Sequence, residues 1–156
     1  TNLSRAMTTR PVFRVFVDTN FLFSMLGLHE NPSNESAQSL VSIVEQVQSK
    51  VDVIYYVLPI TVEEARNTLA GFRDRLREVR FTKAMSIAAE YYGLSGIALK
   101  FAEASRTAGR TIDAETYFTP YINNLVAILG AKGVKLYNED TSKLKQSQAV
   151  IDDILE

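Results

Sequence analysis

The amino-acid sequence predicts an α/β fold, three-layer α/β/α around a mostly parallel sheet and rich in helix through its middle. Short apolar segments dense in β-formers, near 13–17, 51–58 and 133–137, alternate with longer segments of helical spacing. Strands and helices in alternation mean parallel pairing with helices laid on the sheet. The 156 residues, 46% hydrophobic and 22% charged, suffice for one domain with a sizeable core.

Phe13 to Val17 reads as a buried strand, with Asp18-Thr19-Asn20 at its C-terminal end. Phe21 to Leu28 looks like a short apolar helix, broken by Asn31-Pro32-Ser33-Asn34. Glu35 to Lys50 places Leu40, Ile43, Val44 and Val47 at helical spacing. Val51 to Leu58 is the second strand, bounded by Pro59. From Thr61 to about Tyr92 the pattern is helical, with Leu69, Phe72, Leu76 and Val79 as the buried stripe; Gly93 and Gly96 interrupt it. Ile97 to Ala108 forms another helix ended by Gly109, and Asp113 to Gly130 a further one with a break or kink at Pro120. Gly133 to Tyr137 is the third strand, and Thr141 to Glu156 a last helix. About 70 residues separate the second and third strands, long for a simple crossover, so an inserted helical layer is expected. Tyr91, Tyr92 and Phe101 are expected in the core, and His29 in a loop.

Composition narrows the chemistry. With no cysteine there is no disulfide and no thiolate metal site, and the single His29 cannot build a histidine-rich one. A metal here would need mostly oxygen ligands, which suits Mg²⁺ or Mn²⁺. The net charge of −1 and sequence pI near 5.9 are not the footprint of a dedicated nucleic-acid-binding module, yet leave room for a local basic patch. No apolar run approaches the roughly 20 residues of a membrane helix, and no apolar signal core lies among Arg5, Arg10 and Arg14, so a cytoplasmic protein without a membrane partner is expected.

Carboxylates recur at strand ends. In open α/β sheets, ligands bind beyond the carboxyl ends of the strands. Asp18 stands at such an end, where it also fits as the N-cap of the following helix. Asn20 is placed to orient Asp18 or to bond a metal-bound water. Glu63 and Glu64 follow the second strand in the first turn of a helix, and Thr61 with Glu64 also has the spacing of a capping box. Asp140 follows the third strand, where it fits as a turn or cap residue as well as a ligand. Asp113 and Glu115 sit at a helix start, and Asp152-Asp153 within the last helix reads as solvated. Several carboxylates gathered at one sheet edge can hold one or two Mg²⁺ ions, which activate water and offset charge on an attacked phosphate.

Val15-Phe16-Val17-Asp18-Thr19-Asn20-Phe21-Leu22 closely resembles the opening motif of PIN domains, an apolar strand running into Asp-Thr-Asn and an apolar helix. Leu58-Pro59-Ile60-Thr61-Val62-Glu63-Glu64-Ala65 resembles their second motif, in which an early helical Glu is a metal ligand; alignment on the small apolar position favours Glu64 over Glu63. The resemblance covers residues 12 to about 68. It implies a PIN-like fold and a metal-dependent endoribonuclease that hydrolyses RNA phosphodiesters with carboxylate-bound Mg²⁺ or Mn²⁺. Asp18 and Glu64 are then the catalytic acids, Asp18, Glu64 and Asp140 the metal ligands, and Thr19 and Asn20 supporting residues. Many PIN domains are toxins of bacterial toxin–antitoxin pairs, so an antitoxin or other protein partner, or a homodimer, also comes with the resemblance. Counting back from the third strand to the family's third Asp reaches Ile122, beside Asn123 and Asn124. The likeness extends to a bacterial PIN-like group whose long helical middle delays the last acids. With no initiating Met and an end inside an apolar-patterned helix at Ile154-Leu155-Glu156, residues 1–156 are expected to form a single PIN-like domain lacking its C-terminal part.

Arg66, Arg73 and Arg77 fall at roughly helical spacing after Glu64, with Arg75, Arg80 and Lys83 adding charge. Such a stripe suits a phosphate backbone led towards the acids; the alternative is a solvated face paired locally to Asp74 and Glu78. Two other functions compete with the nuclease. A catalytically inactive PIN-like module would bind RNA or a protein partner without a full acid set. A phosphatase using Asp18 would ordinarily carry a second Asp where Asn20 stands.

Overall fold

The computed structural model describes residues 10–29, 35, 39–40, 42–44, 46, 49–91, 94 and 96–138. Within them the chain is α/β, and its three strands form one parallel sheet in the order β1-β2-β3. The strands are β1 (Val12–Phe16), β2 (Asp52–Val57) and β3 (Val134–Leu136). The helices are α1 (Thr19–Met25), α2 (Pro59–Arg75), α3 (Lys83–Tyr91), α4 (Gly96–Thr107) and α5 (Ala114–Ala131). The expected Glu35–Lys50 helix falls partly outside the described residues, although 39–40 and 42–44 are helical. Asp140, Asp152, Asp153 and the helix expected over 141–156 lie outside them entirely.

The register explains how the sheet is dressed. Val15 pairs with Tyr55 and Tyr55 with Val134, and Val57 pairs with Leu136. Side chains alternate across a strand, so Val57 and Val134 turn into the core, where Tyr55 and Leu136 also pack. The intervening positions bring Phe16, Tyr56 and Tyr137 together at the C-terminal end of the sheet, with ring centroids 5.0–5.7 Å apart. The core lies between the sheet and the helices. Leu22 and Phe23 of α1, Val62, Ala65 and Leu69 of α2, Phe101 of α4, and Phe118, Leu125 and Leu129 of α5 are buried there.

The helix boundaries carry two corrections. The span expected as one helix from Thr61 to about Tyr92 is two, α2 and α3, parted by residues 76–82. Within that break Phe81 is buried and Val79 packs on the core, so burial sets the break where no Gly or Pro announces it. The start also lies earlier than expected. Pro59 occupies the first turn of α2 behind Leu58, which makes no side-chain capping bond. Proline's fixed φ suits that place and its missing N–H would have had no helical partner. Tyr91, expected in the core, is 84% exposed at the end of α3, and Tyr92 lies outside the described residues.

The first strand, expected to be buried, is mostly exposed: Phe13 is 57% and Phe16 49% exposed, and the buried residue of that segment is Val17, just past β1. The expectations for Phe101, His29 and the start of α5 hold. Phe101 is fully buried, and His29 sits outside any helix or strand. Asp113 caps α5: its Oδ1 accepts from the Thr116 N–H at 2.8 Å, and its Oδ2 from the Thr116 hydroxyl at 2.8 Å. Those two hydrogen bonds, the backbone one foremost, hold its carboxyl below the usual range. The break expected at Pro120 falls instead at Asn124, four residues on, where the dihedrals leave the helical range; Pro120 itself lies inside α5.

Candidate functional site

The end of β1 delivers Asp18 to the site with little freedom. The Val17 N–H donates to the Tyr56 carbonyl at 2.9 Å, so the chain is still held by the sheet one residue before Asp18. Asp18 then caps α1. Its carbonyl accepts from the Leu22 N–H at 2.9 Å and its Oδ1 from the Phe21 N–H at 2.7 Å. The capping reading of Asp18 is therefore correct as geometry, and it takes one carboxylate oxygen. Oδ2 accepts no hydrogen bond from another described residue, so capping and ligand roles are compatible at this side chain.

Glu64 arrives from β2. The turn at Leu58-Pro59 opens α2 at the C-terminal end of that strand, and Glu64 stands in its second turn, exposed. The capping-box alternative is overturned, because Thr61 is already inside the helix and Glu64 bonds elsewhere. Its Oε2 accepts from the Thr19 hydroxyl at 2.6 Å, a link across 45 residues of sequence. A short bond from a hydroxyl to a carboxylate is among the stronger neutral–ionic pairs. It fixes the Glu64 head group beside the start of α1.

The two acids line one open cleft of about 270 Å³, together with Thr19, Asn20, Phe23, Thr61 and Thr68. Asp18, Glu64, Thr19 and Asn20, all singled out from the sequence, thus converge at the C-terminal edge of the parallel sheet, where open α/β sheets bind ligands. Glu63, the neighbour passed over in favour of Glu64, is not among the lining residues. Among the described residues, no group of three or more His, Cys, Asp or Glu side chains comes together; the expected third ligand, Asp140, falls outside them.

Thr61 and Thr68 escaped the sequence reading. The signal was present, since 61, 64 and 68 recur at the i, i+3, i+7 spacing of one helical stripe. It was obscured because Thr61 also fitted a cap and Thr68 is an ordinary mid-helix residue.

None of Arg66, Arg73 and Arg77 lines the cleft. Arg66 Nε donates to the Ile122 carbonyl at 3.2 Å, tying α2 to α5 two residues before the Asn124 kink. Arg73 Nε lies 3.0 Å from Asp74 Oδ1 and 3.6 Å from Glu115 Oε2, and Arg77 lies 3.6 Å from Asp74. The Asp74 carboxyl is lowered chiefly by the Arg73 hydrogen bond. The pairs to Asp74 are those anticipated for a solvated face, while Glu115, and not the anticipated Glu78, is the second acid. Replacement of Arg66 by Met should remove a charged donor while leaving the carbonyl half-buried; such losses run to about 1–3 kcal/mol. Urea denaturation of Arg66→Met measures it, and an unchanged midpoint would rule out the tie.

Among the described residues no helix is long and apolar enough to cross a membrane. No family model, no curated protein and no solved structure matches the chain.

Proposed function

We propose that this chain is a metal-dependent endoribonuclease of PIN-like type, with a three-layer α/β/α fold. Asp18 and Glu64 hold a Mg²⁺ or Mn²⁺ ion in the cleft at the sheet's C-terminal edge. The observation that carries the reading is that each acid lends one oxygen to a structural hydrogen bond, and both line one cleft. The donor set fits the ion. Mg²⁺ is characteristically bound through one or two carboxylates, with water and substrate phosphate completing its octahedron.

When bound, the ion supplies a nucleophilic water near neutral pH and offsets charge on the phosphate. The chain's own residues provide the rest. Asp18 is held by the Phe21 N–H and Glu64 by the Thr19 hydroxyl, so neither carboxylate has to be ordered when ion and substrate arrive. Low cost of reorganisation is what a preorganised site contributes to rate. The buried ring of Phe23 closes part of the cleft wall. Cleavage should follow the divalent ion. A labelled RNA incubated with the protein is expected to be cut in Mg²⁺ or Mn²⁺ and spared with a chelator, and cutting that ignores the chelator would defeat the proposal.

One observation favours a second reading, an inactive module of the same fold that binds RNA or a protein partner. Only two acids meet among the described residues. Mn²⁺ titration discriminates, since the nuclease requires the ion and the module does not.

A further inference from the structure

Among the described residues the cleft is lined by two acids and by no basic side chain, a difficulty for any phosphodiester that enters it. A bound ion neutralises the charge on one side of the phosphate. The other non-bridging oxygen still needs donors, and Arg66, Arg73 and Arg77 are committed elsewhere on α2. Neutral donors are what the walls offer. Of the four hydroxyl or amide residues that line the cleft, Thr19 already gives its hydroxyl proton to Glu64, and Thr61 is buried.

Two remain, one on each wall. Asn20 is exposed in the first turn of α1. Thr68 is half-buried on α2, four residues after Glu64, so the two share one helix face at a spacing of about 5–6 Å between their Cβ atoms. Neither side chain makes a hydrogen bond to another described residue. We infer that Thr68 and Asn20 are the substrate contacts of this site, their hydroxyl and amide donating to the non-bridging phosphate oxygen turned away from the Asp18–Glu64 pair. The inference rests on the nuclease reading and names what that site grips. It recognises the phosphodiester itself through neutral donors, and the bases are not read at this point.

The test separates metal from substrate. Mn²⁺ affinity is measured by calorimetry, and affinity for a fluorescent uridine oligonucleotide with and without Mn²⁺, in the wild type and in Thr68→Val, Thr68→Ser and Asn20→Asp. Valine keeps the shape of threonine and removes one hydrogen bond to a charged oxygen, so RNA affinity should fall about ten- to hundredfold. Mn²⁺ affinity should stay as in the wild type, and serine should restore RNA binding. Asn20→Asp exchanges a donor for a third negative charge on an exposed residue, and should weaken RNA binding while leaving Mn²⁺ binding intact or tighter. RNA affinity unchanged in both Thr68→Val and Asn20→Asp would overturn the inference, as would a Thr68→Val loss that serine does not repair. A Thr68→Val loss that appears equally without Mn²⁺, in a protein that binds no Mn²⁺, would keep the contact and remove the metal reading beneath it.

Discussion

Asp18→Asn should abolish divalent-ion binding and RNA cleavage while leaving the fold in place. Both halves follow from the way Asp18 divides its two oxygens. Oδ1 caps α1 through the Phe21 N–H, and an Asn side-chain oxygen performs that task as well as Asp does. Melting should therefore change little. The proposed ion, by contrast, would lose one of the two negative charges that described residues bring to the cleft. Altering even a residue that only supports a metal ligand typically costs 10–100-fold in affinity or activity, so loss of a direct ligand is expected to exceed about 100-fold. Mn²⁺ calorimetry and RNA cleavage of the purified variant, beside circular dichroism to verify folding, measure both effects. Wild-type cleavage by a folded Asp18→Asn protein would remove Asp18 from the chemistry and leave it a helix cap. Intermediate damage from Thr19→Val would accord with the scheme, because that change frees Glu64 without removing it.

The site was legible in proportion to how locally it is encoded. Asp18 could be found because an apolar strand and a helix start enclose it, and both are short-range patterns. That the strands run parallel also followed from their alternation with helices, whereas their order, β1-β2-β3, did not. Glu64 was singled out with its hydrogen-bond partner hidden, since Thr61 at the capping-box spacing supplied an innocent local alternative. The actual partner, Thr19, lies 45 residues away, and sequence spacing carries no information about such a bond. The arginines show the same limit. Their helical periodicity was real and the pairing of Arg73 and Arg77 with Asp74 was local, but the Ile122 carbonyl that holds Arg66 and the Glu115 carboxylate beside Arg73 come from α5. The break between α2 and α3 was unreadable because Phe81 and Val79 would suit a helix equally well, and only their burial against the core decides otherwise.

The largest effect on stability is expected from Phe101→Ala. Phe101 lies on α4 with none of its surface exposed, and three other rings surround it: Phe81 at 5.6 Å, Tyr117 at 5.2 Å and Phe118 at 5.5 Å between centroids. These rings come from the α2–α3 break and from α5, so Phe101 is where the inserted helices lock onto one another. The site depends on that region indirectly, since Phe118 belongs to α5 and Arg66 ties α5 to the helix bearing Glu64 and Thr68. Truncating a buried Phe to Ala costs about 3–5 kcal/mol, through lost burial and the cavity left behind. Domains have only about 5–15 kcal/mol in all. Phe101→Ala should therefore take a large share of the total and lower the urea midpoint sharply, whereas Phe101→Leu, which refills most of the space, should lose much less. Neutral surroundings leave nothing electrostatic to compensate: Tyr117, the polar member of the group, has its phenol pKa raised chiefly by burial and stays uncharged. If Phe101→Ala unfolded within 1 kcal/mol of the wild type, the cluster would not be the keystone described, and the helices between β2 and β3 would have to be held by contacts elsewhere, such as the Ser86 hydroxyl that donates to the Ala102 carbonyl at 3.0 Å.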